Sequence, residues 1–223
     1  MRIEASVLIM LPVCSITIRR PLSHEMRAIK DLIYLAFDDK FSFIFADDLS
    51  TGLRILHARY HVRPQPAAIE QMLVADKDGE VVGVIDLFFR TSTGFGLYLI
   101  PLFVRLWRAF GIFRALHQLI GLWMLEVNPV GKHTVYIAKV GVKPGFQDQH
   151  IGQRLLQAAE VVATKRGCTS LSLYVITRNT RARHLYRKLG YVITSTEYSS
   201  AFQYFMGFYG TSIMKKRLGI ITD

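Results

Sequence analysis

Two stretches of this chain hold residue types that could do chemistry together. Tyr186 carries a phenol able to hand over a proton, and Asn179 upstream of it offers an amide that can both donate and accept. Earlier in the chain, Val142-Lys143-Pro144 leads into Gln147-Asp148-Gln149-His150-Ile151-Gly152-Gln153. If a strand turns there into a helix, the first backbone N–H groups of the helix are left without partners at the positive end of its dipole. Such an end suits an anion, a diphosphate among others. On its own, the turn reads equally well as an ordinary crossover. Its glycines do not fall as G-x-G-x-x-G, and no Gly-Lys-Ser/Thr follows, which argues against a dinucleotide fold or a P-loop.

The elements that would position these residues can be read from periodicity. Tyr136 to Val142 alternates as a strand, placing Tyr136, Ala138, Val140 and Val142 on one face, and Pro144 ends it. Ile151, Leu155, Ala158 and Val162 then recur at helical spacing, with Leu156 and Ala159 widening the stripe and Gly167 as the stop. Leu171 to Val175 alternates as a second strand. Asn179 is a good N-cap for a helix whose apolar face is Ala182, Leu185, Tyr186 and Leu189, closed by Gly190. For Tyr186 a core aromatic, and for Asn179 a simple cap, are the plain structural readings.

The order and spacing of these residues resemble the acyl-CoA-binding core of the GNAT superfamily of N-acetyltransferases. The first turn is similar to the family's Gln/Arg-x-x-Gly-x-Gly/Ala at Gln147 and Gly152, with His150 in place of the first glycine. His150 is therefore expected to point outward at a negative φ. The second segment is similar to Asn-x-x-Ala-x-x-x-Tyr-x-Lys-x-Gly-Phe/Tyr at Asn179, Ala182, Tyr186, Lys188, Gly190 and Tyr191. The resemblance implies an α/β fold with a mixed, mostly antiparallel sheet, splayed central parallel strands and flanking helices. It implies acetyl-CoA as co-substrate, with no metal, and transfer of its acetyl group to a primary amine by direct attack on the thioester. Val140, Gly141 and Val142 would line the pantetheine, the turn Gln147, Asp148, Gln149, His150, Ile151, Gly152 and Gln153 would hold the diphosphate, and Asn179 would bind the pantetheine arm or the substrate side. Tyr186 would protonate the departing thiolate. Asp86, Glu126 and Glu197 lie on or beside strands that could face the site, and nothing in the sequence ranks them as a base.

The rest of the chain fits one such domain over residues 15–223. Half of its 223 residues are hydrophobic, enough for a sizeable core. Two cysteines, Cys14 and Cys168, offer neither a metal spacing nor a disulfide framework, so a cytoplasmic setting is expected. Ile16 to Arg19 alternates as a first strand, and Ser23 is a candidate cap for a helix with Met26, Ile29, Ile33 and Phe37 on its face. Asp76-Lys77-Asp78-Gly79-Glu80 marks a hairpin turn. The last two strands are expected over 191–194 and about 203–214. Residues 1–14 form an apolar N-terminal extension without a clear cleavage pattern.

Phe95 to Val127 stands apart as an apolar helical insertion, divided by Arg105, Arg108 and Arg114. No uninterrupted apolar run in it approaches the roughly 20 residues of a bilayer span. Drawn as one helix, Phe103, Leu106, Phe110, Phe113, Ile120 and Met124 share a face, and His117 reads as a packed core histidine. Three roles fit: a helical pair folded onto the domain or against a second copy in a homodimer, an interfacial helix peripheral at an anionic membrane surface, or a lid over the acceptor. The net charge of +11 suits the second. The alternative to an enzyme is an acyl-CoA-binding module docked through 95–127. The expected acceptor is a small-molecule or peptide amine; the charge alone would also suit nucleic acid, which is not expected as a partner.

Overall fold

The computed structural model describes residues 16–37, 43–45, 48, 50–51, 54, 69–89, 99–126, 131 and 133–219. The extension 1–14 and the ends of the insertion at 95–98 and 127 lie outside the described residues. Seven strands form one sheet in the order β1-β2-β3-β4-β5-β7-β6. They are β1 (Ile16–Arg19), β2 (Met72–Lys77), β3 (Glu80–Phe88), β4 (Thr134–Val142), β5 (Ser170–Ile176), β6 (Val192–Tyr198) and β7 (Gly210–Arg217). Every neighbouring pair is antiparallel except β4 with β5, which is parallel.

The β2–β3 hairpin forms where the turn residues require it. Asp78 and Gly79 both take positive φ (55° and 85°), the pairing of angles that matches the right-handed twist of two-residue hairpins. Arg19 then ties β1 to this hairpin by binding Asp76 (Nε to Oδ2, 3.0 Å) and Glu25 (Nη1 to Oε2, 2.8 Å). That network corrects the expected cap. The Glu25 carboxylate, not Ser23, accepts the free Leu22 N–H (2.7 Å), and Ser23–Glu25 form a single 3₁₀ turn before α1 (Met26–Ala36). A carboxylate already held by an arginine is the better acceptor in a partly buried corner.

The helices cover the two faces of the sheet unequally. On one face lie α4 (Ile151–Lys165) and α5 (Thr180–Lys188), packed on Leu73, Ile85, Leu87, Val135, Ile137, Leu173 and Met214. Opposite lies α1, against Met72, Val74 and Val84, joined by α2 (Leu99–Phe110) through Leu106 and by α3 (Ile112–Glu126) through Ala115. The insertion is thus a pair of helices. Gly111 at φ 79° breaks them, a left-handed conformation that ends the first helix. This overturns the single-helix face. Phe103 and Phe110 pack inward with Leu106, whereas Phe113 and Ile120 are exposed, because the break resets the rotation.

The expected last strand is also corrected. Ser200–Met206 is a helix, α6, capped by the Ser199 side chain on Ala201 N–H (3.1 Å) and stopped by Gly207 at φ 75°. β7 begins only at Gly210. His117 of α3 packs its ring on Tyr204 and Phe205 of this helix, with Nε2 3.2 Å from the Tyr204 carbonyl oxygen. Among the described residues no helix is long and apolar enough to cross a membrane.

Candidate active site

The site begins where two strands part. β4 and β5 pair from Thr134↔Ser170 to Ile137↔Leu173 and no further, although β4 runs on to Val142 and β5 to Ile176. A β-bulge sits at the point of parting. Asp86 faces Lys139 and Leu87 faces Ile137, so Ala138 is the extra residue. The bulge corrects the expected face of β4. Val140 and Val142 share the α4 side with Val135 and Ile137, and Tyr136 lies on the other face with Lys139 and Gly141.

The same register shows which backbone groups look into the gap. Lys143 N–H donates to Val82 O (2.8 Å), so by antiparallel alternation the peptide groups of Val142 and Val140 turn away from β3, toward the space β5 has left. Those of Gly141 turn to β3. Its lack of a side chain matters instead: a Cβ there would stand 2.8 Å from Ala36 Cβ and 3.1 Å from Leu32 Cδ2 on α1.

The turn after β4 presents a bare helix start to this gap. Arg154 N–H donates to His150 O (3.0 Å) as the first bond of α4, leaving the N–H groups of Ile151, Gly152 and Gln153 at the helix end. Ile151 is buried and anchors this end on β3, where a Cβ on Gly83 would come within 2.9 Å of Ile151 Cγ2. Gly152 lies between Val142 and Leu185, 4.0 Å and 3.6 Å from where its Cβ would be. The side chains of Gln147, Asp148, Gln149 and His150 are exposed. His150 is outward as expected, but its φ is +57°, and Asp148 has +64°. The expected negative φ is wrong because the turn needs left-handed residues at both places, which Asp and His tolerate better than most side chains.

Across the gap, α5 starts at Asn179, whose Oδ1 accepts the Ala182 N–H (3.0 Å). Arg181 on its first turn reaches back to the carboxylate of Asp148 and to Gln147 Oε1 (3.5 Å), bridging the mouth of the cleft. The helix buries no residue fully, yet packs Ala182, Leu185, Tyr186 and Leu189 on the core. Gly190 at φ 87° and Tyr191 N–H to Tyr186 O (3.0 Å) close it.

Comparison with known proteins places this geometry. Residues 105–191 match the acetyltransferase (GNAT) family, a match that begins inside α2 and ends after α5. The fold is shared with solved acetyltransferases, and the family match spans the segment that carries the gap and Tyr186. Thialysine N-epsilon-acetyltransferases of Bos taurus and Sus scrofa are 33% and 34% identical to the chain over 70 residues, 31% of this chain and 41% of theirs. The chain thus spans about two-fifths of the length of those curated relatives. Among solved structures, the PaiA N-acetyltransferase of Thermoplasma acidophilum in complex with coenzyme A superposes with a TM-score of 0.57 at 16% identity, covering 91% of this chain and 99% of that one. YncA of Salmonella typhimurium, a putative acetyltransferase with its cofactor acetyl-CoA, gives 0.52 at 19%, covering 92% and 95%.

Within the matched segment, Tyr186 packs on the core with its ring 5.9 Å from that of Tyr191. Burial pushes the Tyr186 phenol up to about 12, so it holds its proton through the neutral range. Tyr136 is raised further, mainly by burial, with contributions from Tyr174, Tyr186 and Asp86. Its ring meets Tyr174 edge-on at 6.0 Å. Asp86, only 1% exposed, lies 3.7 Å from Lys139 Nζ on that same face. Of the acids singled out, Asp86 is thus beside the gap, Glu197 is exposed on β6, and the Glu126 side chain lies outside the described residues. Tyr136, Tyr174 and Lys139 were not singled out. Only the Ala138 bulge turns Tyr136 and Lys139 to this side, and no residue type announces it.

Proposed function

We propose that this protein transfers the acetyl group of acetyl-CoA to a primary amine. What supports the reading is the parting of β4 from β5 beside an open α4 start, with a tyrosine that keeps its proton, Tyr186, on the helix that follows β5. The diphosphate would rest on the Gln147–Gln153 turn, and the pantetheine would pair with Val140 and Val142 as a substitute for the missing strand. Asn179 keeps its amide nitrogen for the same arm, its oxygen being engaged in the cap. The amine nitrogen attacks the thioester carbonyl carbon, and backbone N–H near Val142 stabilises the oxyanion. The ammonium form has lost one proton to solvent before this attack. The C–S bond then breaks, the thiolate takes the Tyr186 proton, the new amide loses its second proton to solvent, and Tyr186 regains one from solvent. Val140 and Val142 set the thioester depth, and Gly141 lets α1 close over it.

Tyr136, Tyr174 and Asp86 would wall the acceptor side. A buried carboxylate there suits an ammonium group on arrival, in line with relatives named for acetylating the ε-nitrogen of thialysine. The test is acetyl-CoA-dependent release of free thiol across a panel of amines. Turnover on at least one small primary amine, with the acetylated product seen by mass spectrometry, is expected. Acetyl-CoA binding without transfer to any amine would leave the binding-module alternative in its place.

A further inference from the structure

We propose that the outer face of α2 and α3 docks on an anionic lipid bilayer. The inference stands on the surface of the helix pair and goes beyond the transfer reaction. The inward side of the pair is already used: Leu106, Ala115 and Gln118 are buried, Phe103 and Phe110 pack with α1, and His117 lies against α6. The outward side of α3 is nonetheless apolar. Ile112, Phe113, Leu116 and Ile120 are all exposed, Phe113 at 86%, and at 100° per residue they fall on one stripe. On α2, Ile100 at 74% and Trp107 at 50% add to it. An amphipathic helix in a globular protein carries its polar residues on that side. Here they are replaced by side chains that water does not favour, and among the described residues none covers them.

The charge around the stripe selects its occupant. Arg105, Arg108 and Arg114 are exposed beside it, and the sequence has no Asp or Glu from 87 to 125. Tyr204, exposed on α6 with its ring 5.3 Å from His117, extends the aromatic rim. A second copy meeting the face about a two-fold axis would bring two sets of these arginines together, with no acid from 87 to 125 to answer them. Anionic headgroups answer all three while the acyl boundary takes Phe113, Leu116 and Ile120, and Trp and Tyr rings favour that depth. The helices would lie in the plane of the surface.

Co-sedimentation of the full chain with vesicles tests this. Wild type should bind phosphatidylglycerol/phosphatidylcholine vesicles at low salt, with blue-shifted tryptophan emission, and should bind pure phosphatidylcholine much less. Phe113→Asp should weaken the partition at least tenfold, while keeping the wild-type melting temperature and its shift with acetyl-CoA. The triple variant Arg105→Gln, Arg108→Gln, Arg114→Gln should lose the preference for anionic lipid. Absence of binding at low salt would overturn the proposal. So would binding that Phe113→Asp leaves unchanged, since that would be the basic surface as a whole. A dimer in sedimentation velocity that Phe113→Asp dissociates would overturn it in favour of a second copy.

Discussion

The segment from β4 to Tyr191 and the α2–α3 pair are built on opposite materials. Around the gap, the groups left facing it are mostly backbone: the peptide edges of Val140 and Val142 and the first N–H groups of α4. The side chains of the turn point outward, and even α5, which carries Tyr186, buries none of its residues fully. On the helix pair the backbone is satisfied within each helix, and everything offered to the outside is side chain. Backbone sites depend on where the chain bends and parts, so glycine, proline and capping residues govern them. A side-chain surface depends on helix rotation, and one left-handed residue such as Gly111 can reverse which side is outward.

The comparison is sharpest where one side chain interrupts the backbone-built region. Tyr186→Phe removes the proton donor and little else, so turnover should fall by about 10²- to 10⁴-fold. Acetyl-CoA should raise the melting temperature as in wild type. An unchanged rate constant would take Tyr186 out of the mechanism. Next in size is Gly152→Glu, which would put a carboxylate between Val142 and Leu185 at the anion site. Ligand stabilisation, about 2.7 kcal/mol at a hundredfold excess over Kd, should vanish from thermal melts. If it persists, the diphosphate lies elsewhere.

Gly141→Val asks whether the close approach of α1 is needed for packing. With Ala36 and Leu32 so near, the extra methyl groups should cost about 1–3 kcal/mol in urea unfolding. Smallest is His150→Gly, which relieves a left-handed side chain at φ +57° and should stabilise by roughly 0.5–1 kcal/mol. A loss of stability there would mean that the imidazole makes contacts outweighing its strain.

The same contrast explains what the sequence made legible. The β2–β3 hairpin, α4, β5 and α5 could be read because Asp78-Gly79, Pro144, Gly167, Asn179 and Gly190 punctuate them, each for a conformational reason. The face of β4 could not be read past Ala138, since a bulge is an agreement between two strands and neither sequence states it alone. The α6 segment reads as strand by composition, since Tyr204, Phe205, Phe208 and Tyr209 are aromatics that suit sheets. Ser199 and Gly207, its cap and its stop, were the signals that identify it. The outward turn of Phe113 was hidden by drawing one wheel through Gly111, although a glycine between two apolar helical stretches marks a break. Tyr136 and Lys139 at the gap followed the bulge and were missed with it.

The position of β7 between β5 and β6 has a consequence for biosynthesis. One edge of β5 is committed to the gap from Tyr174 onward, and the other is paired only by residues 210–217. While the chain is being made, Ser170–Ile176 therefore emerges with its β7 side open. At 5–20 residues per second the 34 residues to Gly210 take about 2–7 s. During that interval this wall of the gap is an unguarded strand edge. Newly made copies are thus most prone to pair with one another just before the last strand arrives.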